Sequence, residues 1–314
     1  ARGVVNIPII EERMAMRVAG YMDFRDGYQD NLFYPGTEQD ANDARNWGIR
    51  PQIAVDITDD LKISVRGNYN HQGGVGWSNV ILNPYPAQYL FTTTPLVIDV
   101  DPYATTVPVG WDPAGTNLIS PKPTDPRQIY KDTRQFQDIH TWDVNGTLTW
   151  NIQDVVEVSV VGSYRSETRS QNFDGDLTEA PMVTANVTAA TQDRVVDGHV
   201  RSLDPVDLGV ARMEWLVGFF FLDADGELTT GLPGPGGTST IFNACAFLLP
   251  GICAPSGNID LNNSESYGSN YNLALAPYAH TKFLLLDDAL QFSAGLRWNY
   301  DKKRGVRRSS EVEA

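Results

Sequence analysis

At 314 residues and a formal net charge of −15, the chain has room for one large domain or two average ones, and is too acidic for a nucleic-acid partner. Hydrophobic residues make up 41% of it and the mean hydropathy is −0.29. No run of about 18 or more apolar residues occurs, which excludes a transmembrane helix but not a membrane crossed by strands, where only alternate residues meet lipid.

The N-terminal segment lacks the charged and apolar regions of a signal peptide and starts as though in mid-strand. A hairpin is expected to turn near Pro8–Glu12. From Met14 to Phe24 the even positions Met14, Met16, Val18, Met22 and Phe24 are apolar, while Arg17, Tyr21 and Asp23 fall on the other face. This is the period-two pattern of a strand with one apolar and one polar side. A polar loop follows through Asp43. The next strand sets Trp47, Ile49, Pro51, Ile53 and Val55 against Asn46, Arg50, Gln52 and Asp56. Pro51 counts against it, because proline removes a ladder donor. Thr58, Asp59 and Asp60 make a tight turn into Leu61, Ile63, Val65 and Tyr69, which alternate with Lys62, Ser64, Arg66 and Asn68. Two alternating strands so closely joined predict an antiparallel hairpin.

The unit recurs twice. Trp142 to Ile152 turns at Gln153 and Asp154 and returns as Val156 to Arg165. Tyr271 to Phe283 turns at Asp287 and Asp288 and returns as Leu290 to Asp301. In this last stretch Leu290, Phe292, Ala294, Leu296, Trp298 and Tyr300 alternate with Gln291, Ser293, Gly295, Arg297, Asn299 and Asp301. That run exceeds the ~5–6 residues of a usual globular strand and matches the ~9–11 tilted residues that cross a bilayer. A further hairpin is expected near Asp204–Ala211. The strand after it, Trp215 to Leu222, is apolar on both faces and reads equally as a buried strand.

Long connections, roughly 72–139, 170–194 and 226–269, separate the hairpins and are rich in Pro, Gly, Asn and Thr. Short turns alternate with these long connections. Trp47, Tyr69, Trp142, Tyr164, Trp298 and Tyr300 all fall at the long-connection ends of their strands, and Trp150 at the opposite end. Outer-membrane barrels show this asymmetry of loop length and these aromatic girdles. The expected fold class is therefore all-β: an antiparallel transmembrane β-barrel with short periplasmic turns and long extracellular loops. Two other architectures remain as alternatives, a small passive porin-like barrel and a soluble secreted β-sandwich that binds carbohydrate.

Three short stretches then carry a family resemblance. Val5–Tyr21 (VNIPIIEERMAMRVAGY) with Arg25–Asn31 (RDGYQDN), Glu214–Phe221 (EWLVGFFF) and Ala294–Asp301 (AGLRWNYD) resemble the barrel of TonB-dependent outer-membrane receptors. The resemblance implies a barrel of about twenty-two strands with a plugged lumen, of which about ten strands are expected here. Residues 1–314 then form a single partial barrel domain with no plug domain, and both ends read as cuts in a longer protein. The implied function is active uptake of a scarce ligand, such as a ferric siderophore, in a bacterial outer membrane. The implied partners are outer-membrane lipid, a plug domain and the TonB energy-transducing complex outside this segment, and a small-molecule ligand.

Candidate site residues follow from the faces. Arg17, Arg50, Arg66, Arg165 and Arg297 point to the polar side, and His280 with them. Such a ladder suits a plug or an anionic ligand. Carboxylates are equally frequent on that side, so pairing with Asp23, Asp56, Asp143 and Glu157 is the expected default. Tyr85, Tyr89, Phe91, Tyr103 and Trp111 give the first long connection an aromatic content suited to clasping a partly apolar or sugar-like ligand, or to packing the loop on itself. Cys245 and Cys253 flank Pro250 and Gly251 and suit a small disulfide-closed loop in an oxidising compartment. His71 and His140 are expected to meet at the outer rim, but two histidines alone make a poor metal site, so no metal and no cofactor are expected. Asp223–Glu227 (DADGE) lacks the ligand spacing of a calcium loop. No nucleophile elbow, zinc-protease motif or phosphate loop is present, and nothing argues for catalysis.

Overall fold

The computed structural model describes residues 1–78, 125–129, 131, 133–174, 184–232, 263–286 and 288–312. The strands in chain order are β1 (Arg2–Ile10), β2 (Met14–Arg25), β3 (Asp30–Asn31), β4 (Ala44–Asp56), β5 (Leu61–Gly74), β6 (Gln128–Ile129), β7 (Phe136–Ile152), β8 (Val156–Asp174), β9 (Thr184–Ser202), β10 (Val206–Asp207), β11 (Ala211–Leu232), β12 (Asn263–Leu285), β13 (Leu290–Arg297) and β14 (Tyr300–Val312). The long strands form one antiparallel sheet in the order β1-β2-β4-β5-β7-β8-β9-β11-β12-β13, with β14 continuing β13 along β12. Every hairpin expected from the alternation is present, including the β9–β11 pair around Asp204–Ala211. Among the described residues the sheet is open, with β1 at one edge and β13 and β14 at the other.

Local chemistry sets the turns. Gln153 and Asp154 both take positive φ, 53° and 55°. That is the backbone of the tight hairpin turn whose twist matches its strands. At the β4–β5 turn the Thr58 hydroxyl oxygen accepts from the backbone N–H of Leu61 at 3.0 Å and of Asp60 at 3.3 Å.

Proline explains two interruptions in the ladder. Pro51 lies inside β4 after all, paired with Val18 of β2, but the β4–β5 ladder lapses between the Ile49–Tyr69 and Gln52–Arg66 pairs. The register is the same on both sides of the gap, and Gly67 stands opposite Pro51. The stretch Leu290–Asp301, unbroken in its alternation, is split into β13 and β14 at the level of Pro277 of β12. There Trp298 N–H still donates to the Pro277 carbonyl at 3.1 Å, but Pro277 has no N–H to return the bond.

The strands run further than alternation shows. β7, β8, β9, β11 and β12 have 17, 19, 19, 22 and 23 residues. The expected connection 170–194 shrinks to 175–183, and 226–269 to 233–262. The added residues of β8 and β9, such as Thr184–Gln192, are polar or small on both sides, so no alternation marks them although the ladder continues. The C-terminal segment also continues the ladder, pairing with β12 through Val312.

The two faces differ as the alternation requires. One carries exposed apolar side chains from strand after strand: Ile49, Val65, Val144, Val217, Phe219, Phe292 and Leu296, the last 77% exposed. No second sheet packs on this face among the described residues, in contrast to the two-layer core of a β-sandwich. Trp215–Leu222 is not a buried strand either, since Val217 and Phe219 are about half exposed. Among the described residues the one apolar cluster of buried side chains is small (Ala41, Val75 and Ile129) and sits beyond the sheet at the long-connection end.

Candidate functional site

Cross-strand register fixes what shares the polar face. Arg17 lies opposite Gln52, which lies opposite Arg66, while Arg50 sits one step along β4 opposite Ala19. The three guanidinium groups thus come from adjacent strands β2, β4 and β5. Asp143 pairs in register with Arg165, Arg297 with Tyr278, and His280 with Gly295, all on the same side of the sheet. Sequence alternation therefore placed all six residues on the correct face.

Their partners differ from the expected ones. Arg165 bonds Glu167, two residues along its own strand, at 3.0 Å. Glu157 is taken by Arg201 of β9 in a two-pronged pair at 2.8 and 3.1 Å. Asp56 pairs with Lys62 at 3.7 Å, and Asp143 accepts from the side-chain amides of Asn68 and Asn145. Arg297 lies 5.5 Å from the Phe220 ring centroid and 5.9 Å from that of Tyr278, and bonds Asn299. Arg17, Arg50 and Arg66 make no ion pair or hydrogen bond among the described residues. The reason is geometric: same-face neighbours two residues along a strand, or directly opposite on the next strand, compete with the partner sought by composition alone.

Glycines let this face pack closely. The Tyr21 hydroxyl donates to Asn70 Oδ1 at 3.2 Å across Gly48. A Cβ on Gly48 would lie 2.6 Å from the Tyr21 ring and 2.9 Å from the Tyr69 carbonyl oxygen. Tyr278 crosses Gly218 in the same way to donate to Asp197 at 3.0 Å.

On the apolar face, Trp47 and Tyr69 stand 5.1 Å apart and Trp142 and Tyr164 4.8 Å, forming a row across β4, β5, β7 and β8. Trp150 marks the other end of β7 on the same face, opposite Leu61. One step beyond the upper row, His71 and His140 stand directly opposite each other with rings 4.8 Å apart. Sequence reading brought these two together but missed Asp138, which fell inside the apparent connection. Its Oδ1 lies 2.8 Å from His71 Nε2 and 3.0 Å from His140 Nε2. The hydrogen bond from His71 is the main influence holding the Asp138 carboxyl below its usual value, helped by His140 and opposed by burial. Asp223 and Asp225 receive Arg194, whose guanidinium also lies 5.6 Å from the Tyr164 ring centroid.

A second assembly that alternation cannot reveal lies at the same end. The connection after β2 folds onto the segment that precedes β7. Asn31, 3% exposed, donates from Nδ2 to the Lys131 carbonyl at 3.1 Å and accepts from the Lys131 N–H at 3.2 Å. Gln39 accepts from the Gln135 N–H, and Asp43 accepts from Val75 and Gly76. β3 and β6 form a short parallel pair beside these bonds. Tyr85, Tyr89, Phe91, Tyr103, Trp111, Cys245 and Cys253 lie outside the described residues.

Comparison with solved structures places this architecture. The ferric yersiniabactin uptake receptor FyuA from Yersinia pestis superposes with a TM-score of 0.51 at 12% identity, covering 97% of this chain and 41% of its own. A chain of the FpvAI–pyocin S2 complex gives 0.57 at 14%, over 99% and 37%. BauA, the ferric preacinetobactin receptor of Acinetobacter baumannii, gives 0.52 at 10%, over 98% and 41%. The chain has the barrel fold of TonB-dependent receptors. It spans well under half the length of these structures, and its open sheet corresponds to part of their barrel. No family model matches the sequence, and no curated protein matches it. In this fold the apolar face is the outer wall and the polar face is the inner one.

Proposed function

We propose that this chain is part of the transmembrane barrel of a bacterial outer-membrane receptor that takes up a scarce ligand, such as a ferric siderophore, driven by a TonB-type energy-transducing complex. The observation that carries this reading is the polar wall. It presents Arg17, Arg50 and Arg66 without an ion pair or hydrogen bond among the described residues, on a fold shared with ferric-siderophore receptors. Clustered cations facing a water-filled interior attract an anionic chelate or the carboxylates of a plug. His280 and Arg165 extend this lining along the wall, and Arg297 adds a cation already seated on two rings. Ligand choice would reside in the long connections, where Tyr85, Tyr89, Phe91, Tyr103 and Trp111 supply aromatic surface and a Cys245–Cys253 disulfide would close one loop. The plug and the remaining strands would come from the rest of the protein, covering the open edges of this sheet.

The test is accumulation of radiolabelled ferric chelates by cells that express the protein, with and without a functional TonB complex. The reading expects saturable uptake that is lost without TonB. Uptake that rises linearly with concentration and ignores TonB would instead support a passive pore.

A further inference from the structure

We propose that His71, Asp138 and His140 form a binding site for a divalent transition-metal ion of the zinc type on the outer rim of the barrel wall. The site is separate from the polar interior and does not rest on the uptake reading. The three side chains come from one small patch of two paired strands: His71 faces His140 across the ladder, and Asp138 lies two residues from His140 on the same side of β7. Their candidate donor atoms all lie within 4.8 Å of one another. Both Nε2 atoms already converge on one carboxylate oxygen, at 2.8 and 3.0 Å. A tetrahedral ion with ~2.0–2.1 Å bonds sets its ligand atoms about 3.3 Å apart. The patch therefore accepts such an ion if both carboxylate contacts open by a few tenths of an ångström and the two imidazole nitrogens, within 4.8 Å of each other, settle at the same spacing.

The surroundings orient both rings. The Tyr69 hydroxyl lies 2.7 Å from His140 Nδ1 and fixes the ring with Nε2 toward the cluster, the role that outer-shell partners play at metal-binding histidines. The buried Nδ1 of His71 meets no partner, so Nε2 is that ring's polar outlet. Trp47 flanks His71 on the other side, with ring centroids 6.1 Å apart. Gly73 clears the seat: a Cβ there would lie 2.9 Å from His71 Cε1 and 3.4 Å from Nε2. Asp138 is half exposed, which leaves the solvent side of the ion open to water. Two imidazoles and one carboxylate favour zinc, copper or nickel over magnesium or calcium, which prefer oxygen donors throughout. A bound ion would staple β5 to β7 where the chain leaves and re-enters the sheet.

The test is zinc titration by calorimetry of the detergent-purified protein with its cysteines alkylated, with far-UV circular dichroism to confirm an unchanged fold. The chain has four histidines, and the remaining two supply the control. The expected result is one equivalent of zinc, lost in Asp138→Asn and in His71→Gln/His140→Gln, and retained in His199→Gln/His280→Gln. Tyr69→Phe touches no metal and is expected to weaken binding about tenfold or more. The proposal is overturned if the folded wild type takes up no zinc at millimolar concentration. It is equally overturned if the His71→Gln/His140→Gln protein binds with unchanged stoichiometry and affinity.

Discussion

A lysine at Val65 separates a lipid-facing wall from a solvated one. Val65 is 39% exposed on the apolar face, paired with Ile53 and Gly146. It lies midway along β5 between Leu61, opposite Trp150, and Tyr69, opposite Trp142. Four residues at ~3.4 Å each, inclined by about 40°, put each aromatic level some 10 Å from Val65 along the membrane normal, so Val65 sits close to the midplane. A lysine facing lipid there costs about 2–4 kcal/mol, roughly a 30- to 900-fold loss in the folding equilibrium. The control is its sequence neighbour. Ser64 faces the polar side between Ala54 and Thr147, and Ser64→Lys meets water, within about 0.5 kcal/mol of neutral. Guanidinium titration of the full-length protein in lipid vesicles, followed by tryptophan emission, reads both. If Val65→Lys proves as mild as Ser64→Lys, the apolar face is not in lipid and the orientation of the wall is wrong.

Other perturbations test the packing. Gly48→Val sets a side chain against the Tyr69 carbonyl and displaces the Tyr21–Asn70 hydrogen bond. It is expected to cost about 1–3 kcal/mol in the same titration. Gly146→Ala, whose Cβ meets nothing within 4 Å, is expected to be neutral or stabilising by up to about 1 kcal/mol. Asn31→Ala removes both bonds to the Lys131 backbone and strands buried polar groups at about 1–3 kcal/mol each. Hydrogen exchange is expected to rise in residues 26–43 while β7 stays protected. Cys245 and Cys253 are expected to resist maleimide until a reductant is added; labelling without reductant would show that they are not bonded.

Several features of the fold could be read directly because each strand has one apolar and one polar side. Val144 and Asp143, or Phe292 and Gln291, differ in character at every step, so alternation gave strand, face and hairpin together. Where both sides are polar or small, as along Thr184–Gln192, the same ladder leaves no pattern and the strands run beyond the ends that alternation marks. Proline misled in two ways. Pro51 argued against a strand that forms, and Pro277 breaks a partner strand whose own alternation is unbroken. The site was legible to the extent that face decides it, which is why all five arginines and His280 lie where expected. Partner choice was not legible, because Glu157 prefers Arg201 across a ladder whose register no single strand reveals. Asp138 and Asn31 lay in apparent connections, and their contacts with His71 and Lys131 depend on segments far apart in sequence.

The most direct measurement of the central claim is a nitroxide scan of residues 142–151 in the protein reconstituted into lipid vesicles, with oxygen and a polar relaxation agent as probes. The account predicts alternation at every step. Oxygen contact should peak at positions 142, 144, 146, 148 and 150, and contact with the polar agent at 143, 145, 147, 149 and 151. Equal access of the polar agent to both sets would contradict a wall with lipid outside and a water-filled passage within.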